Sequence, residues 1–433
     1  MGNPGVDYEI RRFGPAAKGS PGYPAAVAWM RAVAFGFHDA RRPDARVDQG
    51  LEMQLADGRM MTGAYQTGPV PAHALGPDVP VATFGTMDKT LNVGFGRLLD
   101  TRLVTAVTVR TPHRRRGLLR RMMIEELSLA QEQGMAMAAL TASEASIYGR
   151  FGFGAATSEQ SVKVDTSARF ILDHTPAGSV EVADPKVLLE LAPQVFDRVH
   201  RLTPGSIGRH EFYRQLASGL VRRDEEGPDP KVKVALHYGP GADVDGYVSY
   251  RFRGWDAGPY TMEIVDLVAA TQDAYLELWQ YLGAIDLVER IAWEEAPVDD
   301  PLPWALADAR CVDASTPRDM LWLRILDVRK VLEARKFSAD GRLLLKVADP
   351  LGLDDGTFLL DVQGGEAAVE RVAPGHEPDL ELDISALSSI YLGAVHPVTL
   401  AAAGRIREGG PGAAARAAAM FAVERPAHCL THF

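Results

Sequence analysis

The sequence is poor in cysteine and has no long apolar run. Its 433 residues include only two cysteines, Cys311 and Cys429, too few for a disulfide framework or a cysteine-based metal site. No other group of Cys and His residues indicates a metal, so we expect no metal cofactor. No 18 consecutive residues are apolar, so we expect no membrane span. With no signal-peptide pattern at the N-terminus, these features predict a protein of the reducing cytoplasm.

Two common catalytic signatures are also missing. No Gly-x-Gly-x-x-Gly motif follows a predicted strand, which argues against a Rossmann dinucleotide site. The serine and histidine residues show no nucleophile-elbow context, which argues against a hydrolase of that type.

Positive charge is in the minority in this chain. Lys and Arg number 46 against 57 Asp and Glu, which gives a formal net charge of −11. This balance disfavours nucleic acid as a partner, because a polyanion is repelled. It would attract a polycationic small molecule bearing amines, although the needs of solubility explain the same composition equally well.

The most informative stretch of the chain is the segment 103–121. Leu103 to Val109 is an apolar, β-branched run that predicts a strand. A short turn with three arginines follows, Arg114-Arg115-Arg116-Gly117, and a helical pattern begins at Leu118. Strand, basic glycine turn and helix together offer backbone N–H groups and positive charge to a phosphate. Taken alone, such a turn is more often just a solvated basic loop.

A second block strengthens the phosphate-site interpretation. Residues 143–154 read Ser-Glu-Ala-Ser-Ile-Tyr-Gly-Arg-Phe-Gly-Phe-Gly. Together, the loop His-Arg-Arg-Arg-Gly-Leu-Leu-Arg and this block resemble the Eis-like aminoglycoside N-acetyltransferases of the Gcn5-related N-acetyltransferase (GNAT) superfamily. The resemblance covers nearly the whole chain. The loop departs from the GNAT signature at Leu119, where a small residue is usual.

The resemblance implies acetyl-CoA as co-substrate and assigns roles to residues of this chain. Tyr148 would be the general acid and the carboxylate of the last residue, Phe433, would be the base. Phe37, Asp39 and His432 would bind the substrate. Coenzyme contacts are expected from strand and loop residues and from the start of the second block: Val107, Thr108, Val109, Arg115, Arg116, Gly117, Leu118, Leu119, Arg120, Ser143 and Glu144.

Each of these assignments has a structural alternative. Tyr148 could be a core aromatic beside Phe151 and Phe153, and Asp39 could belong to a surface turn at the end of a helix. Phe433 could end a frayed tail, although the segment after Pro426 is unusually apolar for one. The pKa of an α-carboxyl lies roughly 7 units below that of an alkylammonium, a gap of about 9 kcal/mol, so a direct proton transfer would need help.

His432 adds a second candidate base. It stands where relatives can carry a carboxylate, and a histidine titrates near neutral pH.

The pattern of predicted elements divides the chain into three units and indicates an α+β fold. By resemblance, we expect residues 1–165 to form an acetyl-CoA-binding GNAT unit, and the predicted elements of 166–315 repeat its order of strand, helix and strand. At the position of the basic loop, the repeat reads Val268-Ala-Ala-Thr-Gln-Asp273, without arginine or glycine, so we expect a degenerate GNAT-like domain. An unrelated α+β domain is the alternative. By resemblance, 316–433 form a sterol carrier protein-like domain that supplies the terminal carboxylate.

Within the first unit, Tyr8–Phe13 is expected as a strand, Tyr23–Phe37 as a helix, and the segment around Asp57-Gly58 as a hairpin. In the last unit, 322–326 is expected as its first strand.

Two other functions stay open at this stage. A lipid- or sterol-binding carrier would use a continuous apolar tunnel in the last domain and would not need Tyr148. A longer-chain N-acyltransferase would need a long apolar acyl pocket. The resemblance further implies a homo-hexamer.

Overall fold

A computed structural model describes residues 7–142, 144–167, 169–223, 227–256, 258–373 and 375–433. These residues form three β-sheets with helices packed on their faces. This architecture is the α+β class that the sequence predicts.

The first unit alternates strands and helices. Its elements are β1 (Tyr8–Phe13), α1 (Tyr23–Gly36), α2 (Asp44–Ala56), β2 (Met60–Gln66), β3 (Ala82–Asn92), β4 (Leu98–Val109), α3 (Leu118–Glu132), β5 (Met137–Thr141), α4 (Ala145–Tyr148) and β6 (Gly154–Ala155).

The second unit follows a similar order. Its elements are β7 (Ser158–Asp165), β8 (Ser179–Ala183), α5 (Leu188–Leu202), α6 (Glu211–Ala217), β9 (Lys233–Tyr238), β10 (Val244–Phe252), β11 (Thr261–Ala269), α7 (Gln272–Gly283), β12 (Arg290–Pro297), α8 (Leu302–Ala305), β13 (Val312–Ala314) and β14 (Arg318–Asp319).

The remaining elements belong to the last third of the chain. They are β15 (Leu321–Ile325), α9 (Val328–Ala334), β16 (Gly341–Ala348), β17 (Gly356–Gln363), β18 (Glu366–Val372), β19 (Leu380–Asp383), α10 (Ile384–Ile390), α11 (Pro397–Ala402), β20 (Ile406–Glu408) and α12 (Ala413–Phe421).

The first two sheets have the same internal arrangement. In the first, β2, β3 and β4 are antiparallel neighbours, and β5 returns through α3 to lie parallel to β4. In the second, β9, β10 and β11 are antiparallel, and β12 returns through α7 to lie parallel to β11. The second unit therefore repeats the fold of the first, as predicted, and is not an unrelated α+β domain.

Two strands are exchanged across the expected unit boundaries. β7, expected as the last strand of 1–165, pairs with β12 and β13 in the second sheet. β15, expected as the first strand of 316–433, lies between β5 and β6 in the first sheet. An alternating pattern identifies a strand but not its neighbours, so sheet membership departs from the units 1–165, 166–315 and 316–433 at these strands.

The hairpin predicted around Asp57-Gly58 is wrong. The preceding residues form α2, and Gly58 (φ +61°) turns the chain from this helix into β2. Asp-Gly favours positive φ in both settings, because glycine carries no Cβ. The signal therefore located the turn correctly but not the element before it. Val47 and Leu51 give α2 its buried face.

The last domain packs against one face of the first sheet. Leu343, Leu345 and Val347 alternate along β16 and are buried with α10 and α12 in one apolar cluster. The same cluster contains Leu103 of β4 and Met137 of β5. A shared core holds the end of the chain beside the first unit.

Candidate active site

The first feature of the site is an open edge on β4. The parallel pairing of β4 with β5 covers Thr101–Val104 and then stops. From Thr105 to Val109, the only paired neighbour of β4 among the described residues is β3. Ala106 has φ +51°, and the register against β3 shifts there, so the strand bulges and turns away from β5. Backbone N–H and C=O groups of this stretch are thus available to a ligand.

The side chains along this edge are already in use. Val107 and Val109 pack towards α3. The Thr108 hydroxyl lies 2.7 Å from the Thr83 hydroxyl, and a Cβ added to Gly36 would come within 2.4 Å of Thr108. We therefore expect the coenzyme contacts of these strand residues to come mainly from their backbone groups.

The basic turn forms the N-terminus of α3. Gly117 occupies the N-cap position with φ +77°, where no side chain caps the helix. In the described part of the chain, no carboxylate lies within 4.0 Å of four nearby guanidinium groups, those of Arg114, Arg115, Arg116 and Arg120. Arg116 donates one hydrogen bond, to the carbonyl of Pro112. Cations without a carboxylate partner beside open helix N–H groups are an arrangement that suits an anion.

Two leucines start this helix. Leu118 is buried in the core under α3, and Leu119 is partly exposed. The larger residue at 119 therefore fits without a clash inside the helix.

Among its described residues, the second GNAT-like unit offers no such site. At the start of α7, the Thr271 side chain accepts a hydrogen bond from the N–H of Ala274, which occupies one of the free helix donors. Asp273 places a negative charge in the first turn. A phosphate would meet a capped and acidic helix end, so the described residues of this unit offer no equivalent of the basic turn.

Tyr148 ends the short helix α4 and is buried. Its ring meets Phe153 edge to face, with centroids 6.2 Å apart. The block is held from behind, because Arg324 Nε donates to the carbonyl of Phe151 at 2.6 Å and Arg324 pairs with Asp349. Tyr148 is thus packed as a core aromatic would be, and the same rigid surroundings would also suit a catalytic phenol. Glu144 precedes this helix and is exposed, whereas Ser143 lies outside the described residues.

The C-terminal segment is packed rather than frayed. Cys429 and Thr431 are buried, and the Thr431 hydroxyl donates to the carbonyl of Ile207. The Thr141 hydroxyl, at the end of β5, donates to a carboxylate oxygen of Phe433 at 3.0 Å. The Phe433 ring packs against the shared core. The terminus therefore reaches the strand that leads to Tyr148.

The side chain of His432 faces the second unit. Its Nε2 lies 3.0 Å from Glu159 and 3.5 Å from Glu295. Burial would raise the pKa of Glu159, but His432 and Arg318 outweigh that effect and hold it below the usual range. Burial raises the pKa of Glu295. His432 therefore has two carboxylate partners in the second unit, and its roles as a substrate ligand or base stay predictions.

Phe37 and Asp39 follow the end of α1. Phe37 is 47% exposed, and Asp39 pairs with Arg42 at 3.4 Å in an exposed position. Both alternatives for Asp39 thus keep support, because it is a surface residue that also lines a cavity of about 490 Å³. Three other arginines line this cavity with mainly apolar residues: Arg31, Arg41 and Arg110.

Several contacts of the terminus escaped the sequence reasoning. Five residues contact His432 or Phe433: Thr141, Glu159, Glu295, Tyr213 and His210. They lie in ordinary strands, in α6 or directly before it, and without a motif, so no sequence signal marked them. Among the described residues, no group of three His, Cys, Asp or Glu side chains could hold a metal ion. No described helix has the length and apolarity to cross a membrane.

Comparison with known proteins agrees with this geometry. Two family models described as acetyltransferase (GNAT) domain match residues 26–156 and 205–325, and one described as sterol carrier protein domain matches 328–430. The fold and the open strand beside a basic helix end are those of a GNAT acetyltransferase, and GNAT domains use acetyl-CoA. The chain is therefore an N-acetyltransferase with two GNAT domains and a sterol carrier protein-like domain.

Full-length relatives narrow the assignment. The chain is 34% identical to an uncharacterized N-acetyltransferase of Streptomyces avermitilis over 91% of its length and 93% of that protein. It is 34% identical to N-acetyltransferase Eis of Mycobacterium tuberculosis over 80% of its length and 84% of that protein. The chain belongs to this Eis family.

Solved structures show the same fold. Eis1 from Mycobacterium abscessus superimposes with a TM-score of 0.79 at 26% identity, covering 98% of this chain and all of that one. A GCN5-related N-acetyltransferase from Anabaena variabilis gives 0.78 at 19% identity, with 98% of this chain covered, and supports the fold alone.

Proposed function

We propose that the protein acetylates primary amines of polycationic small molecules such as aminoglycosides, by direct attack of the amine on acetyl-CoA in a ternary complex. Phe433 would supply the basic carboxylate and Tyr148 the general acid. The observation that carries this proposal is the hydrogen bond from Thr141 to the Phe433 carboxylate, because it brings the terminus to the end of β5, next to the open edge of β4.

The proposed binding of acetyl-CoA rests on free backbone groups of β4 and on the positive charge of the basic turn. The pantetheine arm of acetyl-CoA would pair with the free edge of β4 at Val107 and Val109. Its pyrophosphate would lie on the α3 N-terminus, among Arg115, Arg116, Gly117 and Arg120. Guanidinium groups bind phosphate by charge-assisted hydrogen bonds, and these have no carboxylate partner within 4.0 Å in the described residues. Glu144 and Ser143 are the remaining candidates beside the coenzyme.

Acetyl transfer needs a base that removes a proton from the amine, and a carboxylate can serve as that base only with help. An alkylammonium titrates near ~10.4 and an α-carboxyl near ~3.5. A water between the carboxylate and the amine would carry the proton. The Tyr148 phenol would then protonate the leaving thiolate, since the two groups titrate near ~10 and ~8.5.

The acceptor would bring its reacting amine to the Phe433 carboxylate, with Phe37 and Asp39 as flanking contacts. Negative net charge favours a cationic acceptor. The cavity beside α1 has four arginines to one aspartate in its wall, so we assign the acceptor's cationic groups to the Phe433 side.

A carrier function has less support. The inner faces of β16 and β17 are filled by side chains of α10, α12 and the first sheet. These apolar faces therefore support the C-terminus, as the acetyltransferase proposal requires, and are not free to bind a lipid. We further propose a cytoplasmic homo-hexamer. The two buried free cysteines support a reducing compartment, and light scattering would test the assembly.

One assay separates the candidate functions. The protein is incubated with acetyl-, octanoyl- or myristoyl-CoA and a panel of aminoglycosides, polyamines and monoamines, while free thiol is measured. We expect thiol release with acetyl-CoA that depends on a polycationic amine. A preference for myristoyl-CoA would favour the longer-chain acyltransferase instead. Absence of amine-dependent release with every donor would contradict the proposal.

A further inference from the structure

The ring of His432 is held between carboxylates of two different strands. Its Nε2 lies 3.0 Å from Oε2 of Glu159 on β7 and 3.5 Å from Oε1 of Glu295 on β12. Both strands belong to the second sheet, whereas the next residue, Phe433, contacts the first unit. The last peptide of the chain therefore bridges the two GNAT-like units.

Glu159 is a fixed anchor for this ring. It is 1% exposed, and its second oxygen accepts a hydrogen bond from Arg318 Nε at 2.9 Å. Because both oxygens have partners and the side chain is buried, Glu159 has little freedom to move. Burial would raise its pKa, but His432 and then Arg318 outweigh that effect and hold the pKa below the usual range.

The backbone of His432 is held as firmly as its ring. Its N–H donates to the Tyr213 hydroxyl at 2.7 Å, and its carbonyl accepts from His210 Nε2 at 2.9 Å. Burial lowers the pKa of His210 to about 4, so this donor is a neutral imidazole at pH 7. These contacts hold His432 on the second unit, whereas the Phe433 carboxylate that follows it accepts a hydrogen bond from Thr141 of the first unit.

We propose that Glu159 is a positioning residue which, through His432, aims the Phe433 carboxylate at the acceptor amine. The idea rests on the proposed role of Phe433. Glu159 itself does not touch the reacting atoms. Its charge and hydrogen bond fix the His432 ring, and the ring in turn fixes the last peptide. A misplacement of a reacting group by about 1 Å can cost on the order of 10²-fold in rate.

Steady-state kinetics of Glu159→Gln test this role. We expect kcat to fall at least about tenfold, while KM for acetyl-CoA changes less than about twofold, because the coenzyme side is untouched. Glu294→Gln is the matched control, since Glu294 is a neighbouring carboxylate of β12 whose side chain bonds Ser161 instead. An unchanged kcat in Glu159→Gln would overturn the proposal.

A double-mutant cycle keeps the test valid if Glu159→Gln folds poorly. His432→Gln removes the same contact from the more exposed partner and leaves Glu159 paired with Arg318. If Glu159 acts through His432, the double variant should be no slower than the slower single variant. Fully additive losses would show that Glu159 acts elsewhere and would contradict the proposal.

A second readout does not depend on the reaction. Carboxypeptidase A removes C-terminal aromatic residues, so its rate of phenylalanine release reports how firmly the terminus is held. We expect faster release from Glu159→Gln than from the parent and from Glu294→Gln at equal melting temperature. Equal release rates would overturn the positioning role. Faster release together with unchanged kcat would instead refute Phe433 as the base and, with it, the aiming of a catalytic carboxylate.

Discussion

A buried ion pair fixes the frame of the catalytic block at the level of single residues. The side chains of Arg324 and Asp349 are both inaccessible to solvent. Asp349 lies in a loop of the last domain. Arg324, held by Asp349, also donates a hydrogen bond to the carbonyl of Phe151, three residues after Tyr148. A Cβ added to Gly152 would come within 2.7 Å of Arg324 Nε, so this glycine (φ +83°) allows the close approach.

Removing one partner of this pair should destabilise the protein strongly. Asp349→Ala leaves a buried guanidinium without its anion, which typically costs about 3–5 kcal/mol. Thermal unfolding should show a large drop in Tm, whereas Asp361→Ala, in an exposed pair with Arg342, should change Tm much less. Similar Tm values for the two variants would contradict the assignment.

The same pair should add a pH dependence to stability. Burial alone would raise the pKa of Asp349, but Arg324 and backbone N–H groups outweigh it and lower the pKa. The pair therefore stabilises the fold above the ordinary aspartate pKa of about 3.9 and is lost as pH falls towards the lowered value. Asp349→Ala should flatten the Tm profile below about pH 4.

A substitution at Tyr148 tests its proposed role as the general acid. Tyr148→Phe keeps the ring packed on Phe153 and removes only the hydroxyl. For a general acid we expect kcat to fall by about 10² to 10⁴, with little change in coenzyme affinity. A variant as fast as the parent would return Tyr148 to the role of a core aromatic.

At the scale of elements, local patterns predicted most strands and helices. β1, α1, β4 and α3 lie close to the expected ranges, because each has its own periodicity or glycine turn. α2 was missed, because a strong Asp-Gly turn signal directly follows it and favoured a hairpin. The basic turn was predicted from the sequence because strand, glycine and helix are contiguous.

The basic turn makes a prediction of its own. Arg115→Ala with Arg116→Ala should weaken coenzyme A binding strongly, since each charge-assisted hydrogen bond contributes about 1.5–3 kcal/mol. Calorimetry should show a loss of at least about tenfold in affinity. Arg121→Ala is the control, because Arg121 lies on the same helix but pairs with Glu125. Equal effects of the two changes would argue against a specific phosphate site.

At the scale of the whole molecule, the site depends on contacts that no local pattern reveals. Thr141 and Phe433 are 292 residues apart, and Glu159 and His432 are 273 apart. Sequence resemblance pointed to a functional terminus, but the partners that hold it come from the first and second sheets and from the segment around α6. The exchanged strands β7 and β15 tie these sheets together. Long-range pairing of this kind follows from packing and could not be predicted from one sequence.

The duplicated fold should bind one coenzyme per chain. The first unit has the uncapped, arginine-rich end of α3, whereas α7 of the second unit is capped by Thr271 and acidic at Asp273. Calorimetry with coenzyme A should give a stoichiometry near one. Two sites per chain would contradict the interpretation of the second unit as degenerate.

The position of the terminal carboxylate is tested most directly by lengthening the chain. One or two residues added after Phe433 move the free carboxylate away from Thr141 and replace it with a neutral amide. The account predicts that turnover is abolished while Tm and coenzyme A affinity stay close to those of the parent, and that an extension at the N-terminus is harmless. A C-terminally extended protein that acetylates at the parent rate would contradict it.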